Sequence, residues 1–450
     1  MPRRNVILVL IVSTLVIGGL LAFLYYQSKK VPPESGEGTN FIARFNPFKS
    51  NVPPQGEDIP PVTETQPPAE IPPEETSPLK LKKISSVPIA GFGLFKKERF
   101  KEVAVPPPPA AGAPEVLGTT TDTKKAPLKK PTAPPTEFAT AVRYIERATG
   151  NIYQTFVDKI EERKFSTTVI PKIYDAYWGS GGDMVVMRHL KPNGQTIETI
   201  VGTLPKEKLG EDLETNQIKA VFLTDDIRDI SLSGDGTKIF YLISVNGGAF
   251  GTSMNIADGK KTQIFESAFT EWLSTYPNKN TVALTTKPSG VAVGYMYALD
   301  VAKKAFTRVL GPINGLTTLM SPDGKKVLYS NGALTLSLYT IATKESVPLG
   351  VRTLPEKCVW SNGNEVVYCA VPDQIPNGIY PDSWYQGEVS FRDKIWKINT
   401  EDGSAKIIAD PTALVGEDID SIKLALDADE YYLFFVNKKD SFLWEFDLRP

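Results

Sequence analysis

Three stretches of the chain repeat one another, and a repeat constrains the fold more tightly than composition does. They run Ser233-Gly-Asp-Gly-Thr-Lys-Ile-Phe-Tyr241, Ser321-Pro-Asp-Gly-Lys-Lys-Val-Leu-Tyr329 and Ser361-Asn-Gly-Asn-Glu-Val-Val-Tyr368. In each, a tyrosine follows a turn glycine (Gly236, Gly324, Gly363) by five residues. Followed outward, the pattern is an apolar strand, a polar turn and a β-branched or aromatic strand. It recurs after Trp178, Leu232, Leu273, Met320, Trp360 and Leu426. A second recurring line starts at Met254, Tyr297, Tyr339, Trp396 and Trp444 and supplies a third strand with the turn into a fourth. Successive first turns lie about 40–46 residues apart where nothing intervenes, the length of a four-stranded propeller blade.

Six such units fill 170–448, and the last stops at Asp447 without its fourth strand. Leu79–Ser85 is the right kind of segment to complete it, which would close a ring and leave few open edges. Val87–Phe95, Ala141–Glu146, Ile152–Val157 and Ile160–Thr168 make one more blade, split by a proline-rich insertion over 96–137. The sum predicts an all-β, seven-bladed antiparallel β-propeller over 78–450. The alternative is six blades, if Tyr144–Tyr153 forms a third-to-fourth-strand hairpin.

The Ser321–Tyr329 stretch resembles the repeat of TolB-like, WD40-like (PD40) propellers, and the likeness covers 78–450 at the level of architecture. The Gly-His and Trp-Asp pairs of true WD40 repeats are absent. The resemblance implies an extracytoplasmic bacterial propeller that binds other proteins or envelope components. It names no activity.

Ahead of the propeller, Val6 to Tyr26 is apolar except for Ser13 and Thr14. About 20 residues at ~1.5 Å each span a hydrocarbon core of ~30 Å. No Ala-x-Ala-like site or lipobox cysteine follows, so the segment reads as a retained signal anchor rather than a cleaved signal peptide. Lys and Arg are balanced across it, two on each side. The N-terminal amine and the five-residue tail 1–5 then favour a cytoplasmic N-terminus and a body outside the cytoplasm, in the periplasm or at the cell surface. Residues 27–77, rich in Pro, Glu and Thr, are expected to form a disordered tether leaning toward polyproline II. Twelve of the 37 prolines fall in 31–78 and nine in 101–136. Phe41–Phe48 is an apolar island in the tether, a contact for lipid or partner or simply linker.

The net charge of −2 gives no reason to expect nucleic acid as a partner. One histidine, His189, and two cysteines leave little for zinc sites or imidazole-based triads. No cofactor, metal site or catalytic set is expected, and the Asp-Gly turns at Asp235 and Asp323 are explained by hairpin chemistry rather than calcium. Cys358 and Cys369 flank one turn; if Ser361 faces Val366, they sit opposite one another, and a disulfide is expected outside the cytoplasm. Pro372–Asp393, between the second and third strands of the sixth blade, breaks the period with Tyr380, Asp382, Trp384 and Tyr385. Exposed aromatics beside a carboxylate suit a sugar or a peptide; the alternative is that Trp384 plugs its own blade. The leading expectation is therefore a membrane-anchored binding or scaffold module for a protein or an envelope polysaccharide, without catalysis. The competing one is a propeller enzyme, a carbohydrate or peptide hydrolase or lyase with its site on the loop face.

Overall fold

The computed structural model describes residues 80–101 and 134–450, except Asp212 and Thr215. The predicted tail, membrane helix and tether, at 1–77, lie outside the described residues, as does 102–133 of the insertion. Among the described residues no helix is long and apolar enough to cross a membrane.

Seven antiparallel sheets of four strands make the fold. Blade 1 comprises Ile89–Phe100, Thr136–Glu146, Ile152–Phe156 and Arg163–Ser166, and blade 2 Ile173–Trp178, Met184–Leu190, Ile197–Thr203 and Lys219–Phe222. Blade 3 is Asp229–Leu232, Lys238–Val245, Gly248–Asn255 and Lys261–Ser267; blade 4 is Trp272–Asn278, Thr281–Thr286, Val293–Asp300 and Phe306–Asn314. Thr317–Met320, Lys326–Ser330, Thr335–Thr340 and Glu345–Arg352 form blade 5. Cys358–Trp360, Val366–Pro372, Asp393–Asn399 and Ala405–Ala409 form blade 6. Blade 7 joins Ser421–Leu426, Tyr432–Asn437 and Leu443–Asp447 to Leu81–Lys83 from the other end of the domain. Leu81 faces Phe446, and Lys83 faces Trp444. Tyr144 pairs with Tyr153 between the second and third strands of blade 1, which makes the count seven and not six.

The repeat is a turn closed by its own side chains. In the first copy, Ser233 Oγ donates to Asp235 (2.6 Å) and accepts from the Lys238 amide (2.9 Å), while Asp235 accepts from the Thr237 amide (3.1 Å). Ser321 and Asp323 repeat the arrangement at 2.6 and 3.0 Å. Gly236 and Gly324 supply the left-handed position, at φ 65° and 74°. In the third copy that position belongs to Asn364 (φ 62°) and not to Gly363, because asparagine tolerates the left-handed region. The repeat tyrosines pack inward: Tyr241 and Tyr368 are buried and Tyr329 half-buried.

The core is a set of wedges between neighbouring blades. Leu328, Leu336 and Leu338 of blade 5 pack on Cys358, Trp360 and Val367 of blade 6. Tyr368 and Ile395 of blade 6 pack on Leu433, Phe435 and Trp444 of blade 7, with Leu81 in the same cluster. Between blades 1 and 2 the inner strands come closest at Gly91, where a Cβ would lie 2.1 Å from the Ala176 carbonyl oxygen. Cys358 and Cys369 face one another in register and are joined, with Cα atoms 4.0 Å apart.

One boundary differs from the sequence expectation. Lys96–Phe100 and Thr136–Glu137, assigned above to the insertion, continue the first hairpin of blade 1, with Phe100 facing Thr136. Their charges suggested a solvated linker, but the three cations are paired, and Glu98 accepts from the Thr136 hydroxyl at 2.7 Å. Lys96 meets Asp429 on the blade 7 side, Lys97 meets Glu207 of blade 2 at 2.5 Å, and Arg99 meets Glu137 and Asp158.

Leu81→Ala tests the closure. Leu81 is buried among blade 6 and blade 7 side chains, so removing it should cost about 2–4 kcal/mol, read from urea unfolding. An unchanged midpoint would show that blade 7 does not depend on this strand.

Candidate functional site

Six of the seven inner strands, with Glu356 just ahead of the inner strand of blade 6, line a central channel with a cavity of about 900 Å³. We call upper the face at which these strands begin; it also carries the second-to-third-strand loops. Polar and charged groups stand on several of these strands or just ahead of them, among them Asp229, Ser231, Thr317, Glu356 and Lys423. Lys423 of blade 7 donates to the Ala90 carbonyl at 2.8 Å and pairs with Asp175 of blade 2, which also accepts from the Tyr177 hydroxyl. Half-buried Asp229, first in blade 3, accepts from the Ser274 amide (2.5 Å) and hydroxyl (2.6 Å) of blade 4. Burial pushes its carboxyl up to about 6 despite these bonds, which favour the charged form.

Glu356 precedes the inner strand of blade 6. It is exposed to the channel, yet protein surrounds it so closely that burial pushes its carboxyl up to about 7. The Tyr385 hydroxyl donates to it at 2.6 Å and, with Lys357 and Lys438, pulls the other way. Carboxyl groups poised near neutrality inside a cleft mark a candidate site. Among the described residues no three His, Cys, Asp or Glu side chains converge as a metal-ligand set. His189 bonds Glu198 (2.9 Å) across two strands of blade 2.

The excursion of blade 6, over 373–392, lies along the upper face. It carries one short helix, Asp382–Tyr385. The Tyr380 carbonyl rests on glycines from blades 4 and 5: a Cβ on Gly290 or Gly315 would lie 2.6 or 2.9 Å from its oxygen. Asp382 accepts from the Gly290 amide at 2.6 Å. Trp384 is 4% exposed and Tyr380 5%, both packed with Leu334, Leu354 and Phe391. These two do not form an exposed aromatic platform. Trp384 Nε1 donates to Asp420 at 2.9 Å, and Lys438 stands 4.0 Å from its ring centroid. Of the four residues singled out in the sequence, only Tyr385, 38% exposed, reaches the channel.

Beneath the excursion lies a fully buried charge centre. Lys357 Nζ meets Asp393 at 2.8 Å, Asp420 at 2.5 Å and the Ser421 carbonyl at 2.9 Å. Burial opposes the ammonium, but the two carboxylates outweigh it and raise its pKa. Asp420, which burial would push up, is held low by Lys357 and by donors including the Phe391 amide (2.9 Å). Burial dominates at Asp393, whose carboxyl rises to about 6. Sequence reading missed Asp229, Glu356, Lys357 and Lys423.

Two measurements check this geometry. Trp384→Ala should lower stability by about 3–5 kcal/mol, as for other buried indoles, in a denaturant titration; a loss under ~1 kcal/mol would return the indole to the surface. Glu356 protonates more readily in the folded chain than at its ordinary value of 4.5, so the stability it contributes is complete below pH 4.5 and lost as pH rises through about 7. Tyr385→Phe removes a donor to the carboxylate and should move the Glu356 midpoint upward in a carboxyl carbon NMR titration.

No protein-family model matches the chain, and no curated protein matches its sequence. Solved structures do resemble it. TolB from Acinetobacter baumannii is 14% identical, with a TM-score of 0.37 over 58% of this chain and 59% of that one, so under two thirds of TolB is spanned. An oligogalacturonate lyase from Vibrio parahaemolyticus is 11% identical, with a TM-score of 0.48 over 69% of this chain and 86% of that one. The tricorn protease is 13% identical, with a TM-score of 0.34 over 66% of this chain and 27% of that one. These likenesses carry no inference about ligand or activity.

Proposed function

We propose that this chain is a membrane-anchored, extracytoplasmic binding module that holds a protein or envelope polysaccharide on the upper face of its propeller, without catalysis. The observation that carries the reading is an exposed apolar band beside the channel. Val291 is 77% exposed, Val293 55% and Ile379 54%. Exposed apolar groups of this kind are what a partner covers. They stand on fixed ground: Ile379 packs against Gly290, which is tied to Asp382. A ring closed at blade 7 presents such loops with little loss of freedom on binding. The helix expected at 6–26 would anchor it, and the tether at 27–77 would give it reach.

A propeller enzyme is the second reading. Asp229 and Glu356 favour it, because both line one cavity and hold protons near neutrality.

A photo-crosslinking residue at position 291, in the intact chain in native membranes, separates the two. The binding reading expects one dominant adduct that disappears on Ile379→Asp. Adducts no different from those of a lower-face control at position 403 would overturn it. Turnover of a polysaccharide or peptide that Glu356→Gln abolishes would favour the enzyme.

A further inference from the structure

The two segments that carry Val291, Val293 and Ile379 also reach the channel cavity. Pro288, three residues before Val291, lines the channel cavity, and so does Tyr385, three residues after Asp382. The segments that carry the apolar band, 288–293 and 379–385, thus each also supply a residue to the channel cavity. At the mouth, the hydrogen-bond partners of the two raised carboxyls are neutral, Ser274 for Asp229 and Tyr385 for Glu356, while Arg188 acts on Asp229 and Lys357 and Lys438 act on Glu356 through charge alone. The lining lysine, Lys423, is already engaged by Asp175. Blades 3 and 6, which carry Asp229 and Glu356, lie on opposite sides of a ring of seven. A cation entering the mouth meets carboxyl groups from two sides, in a space of restricted water where opposite charge counts for more.

We infer that the partner is a protein segment that lays apolar side chains over Val291, Val293 and Ile379 and sends a lysine or arginine into the channel mouth, between Glu356 and Asp229. This rests on the upper face being the binding face, and it adds the chemistry of what binds there. Apolar cover alone is sequence-tolerant; the acidic mouth supplies selection for a cation at one position.

The probe is a fluorescein-labelled peptide, acetyl-Leu-Phe-Arg-Leu-Phe-amide, paired with a twin carrying citrulline, the neutral isostere, in place of arginine. Both are titrated against the full chain in detergent micelles and followed by anisotropy. The arginine peptide should bind about tenfold more tightly, the effect of one charge-assisted hydrogen bond. That preference should vanish in the double variant Asp229→Asn, Glu356→Gln and survive in Tyr385→Phe, which keeps both carboxyl groups. Ile379→Asp should weaken both peptides alike. Equal binding of the twins, or a preference that persists in the double variant, overturns the inference about the cation. Binding of neither peptide overturns it as well, while a crosslink from position 291 would leave the upper face standing as the binding face.

Discussion

Everything in this molecule depends on a ring being closed by three residues. Leu81–Lys83 pair with Leu443–Asp447, so the first and last strands of the described domain lie in one sheet. Without that pairing blade 7 would be three-stranded, and Leu81 would leave the wedge it shares with Phe446, Leu433 and Ile395. Each wedge is built from two blades, so a gap at one place loosens packing on both sides of it. The channel exists only because the seven inner strands are held at fixed angles. Its polar mouth is a product of closure, not of any single blade.

A second constraint sits one layer further in. Lys357, Asp393 and Asp420 are buried completely and belong to three different pieces of structure: the entry to blade 6, its third strand, and the entry to blade 7. Burying charge is expensive, and removing one partner from such a group typically costs 3–5 kcal/mol because the others are stranded. The same Asp420 receives Trp384 Nε1 and the Phe391 amide. The excursion is thereby locked to the seam between blades 6 and 7, while Asp382 and the glycine floor lock its other side to blades 4 and 5. That double attachment ties the excursion, and Ile379 with it, to both sides of the upper face.

Much of the architecture was legible in the sequence because each repeat carries its own turn chemistry. Ser233, Asp235 and Gly236 are local instructions, and so is the spacing to Tyr241. The closing strand was legible too, since a unit ending at Asp447 lacked a partner and Leu79–Ser85 offered one. The site was less so. Tyr380 and Trp384 looked displayed, but their burial depends on Gly290, Gly315, Gly332 and Lys438, which come from other blades and carry no local mark. A signal for the channel groups did exist. Asp175, Asp229, Thr317, Lys357 and Lys423 each stand three residues before the apolar residue that precedes a turn: Trp178, Leu232, Met320, Trp360 and Leu426. Aligning the units on that residue places all five at the upper end of an inner strand. What no alignment could show is that Lys357 sinks into the seam while Lys423 stays at the channel.

The closing strand also has a mechanical meaning. It is the described segment nearest the N-terminus, and only three residues of it are paired. Any tension drawn along the chain ahead of Lys80 falls first on those few hydrogen bonds and on Leu81, before any other blade feels it. The weakest link under load is therefore also the clasp of the ring. A pull strong enough to strip it would unseal blade 7 and slacken the channel mouth on the far side of the same sheet.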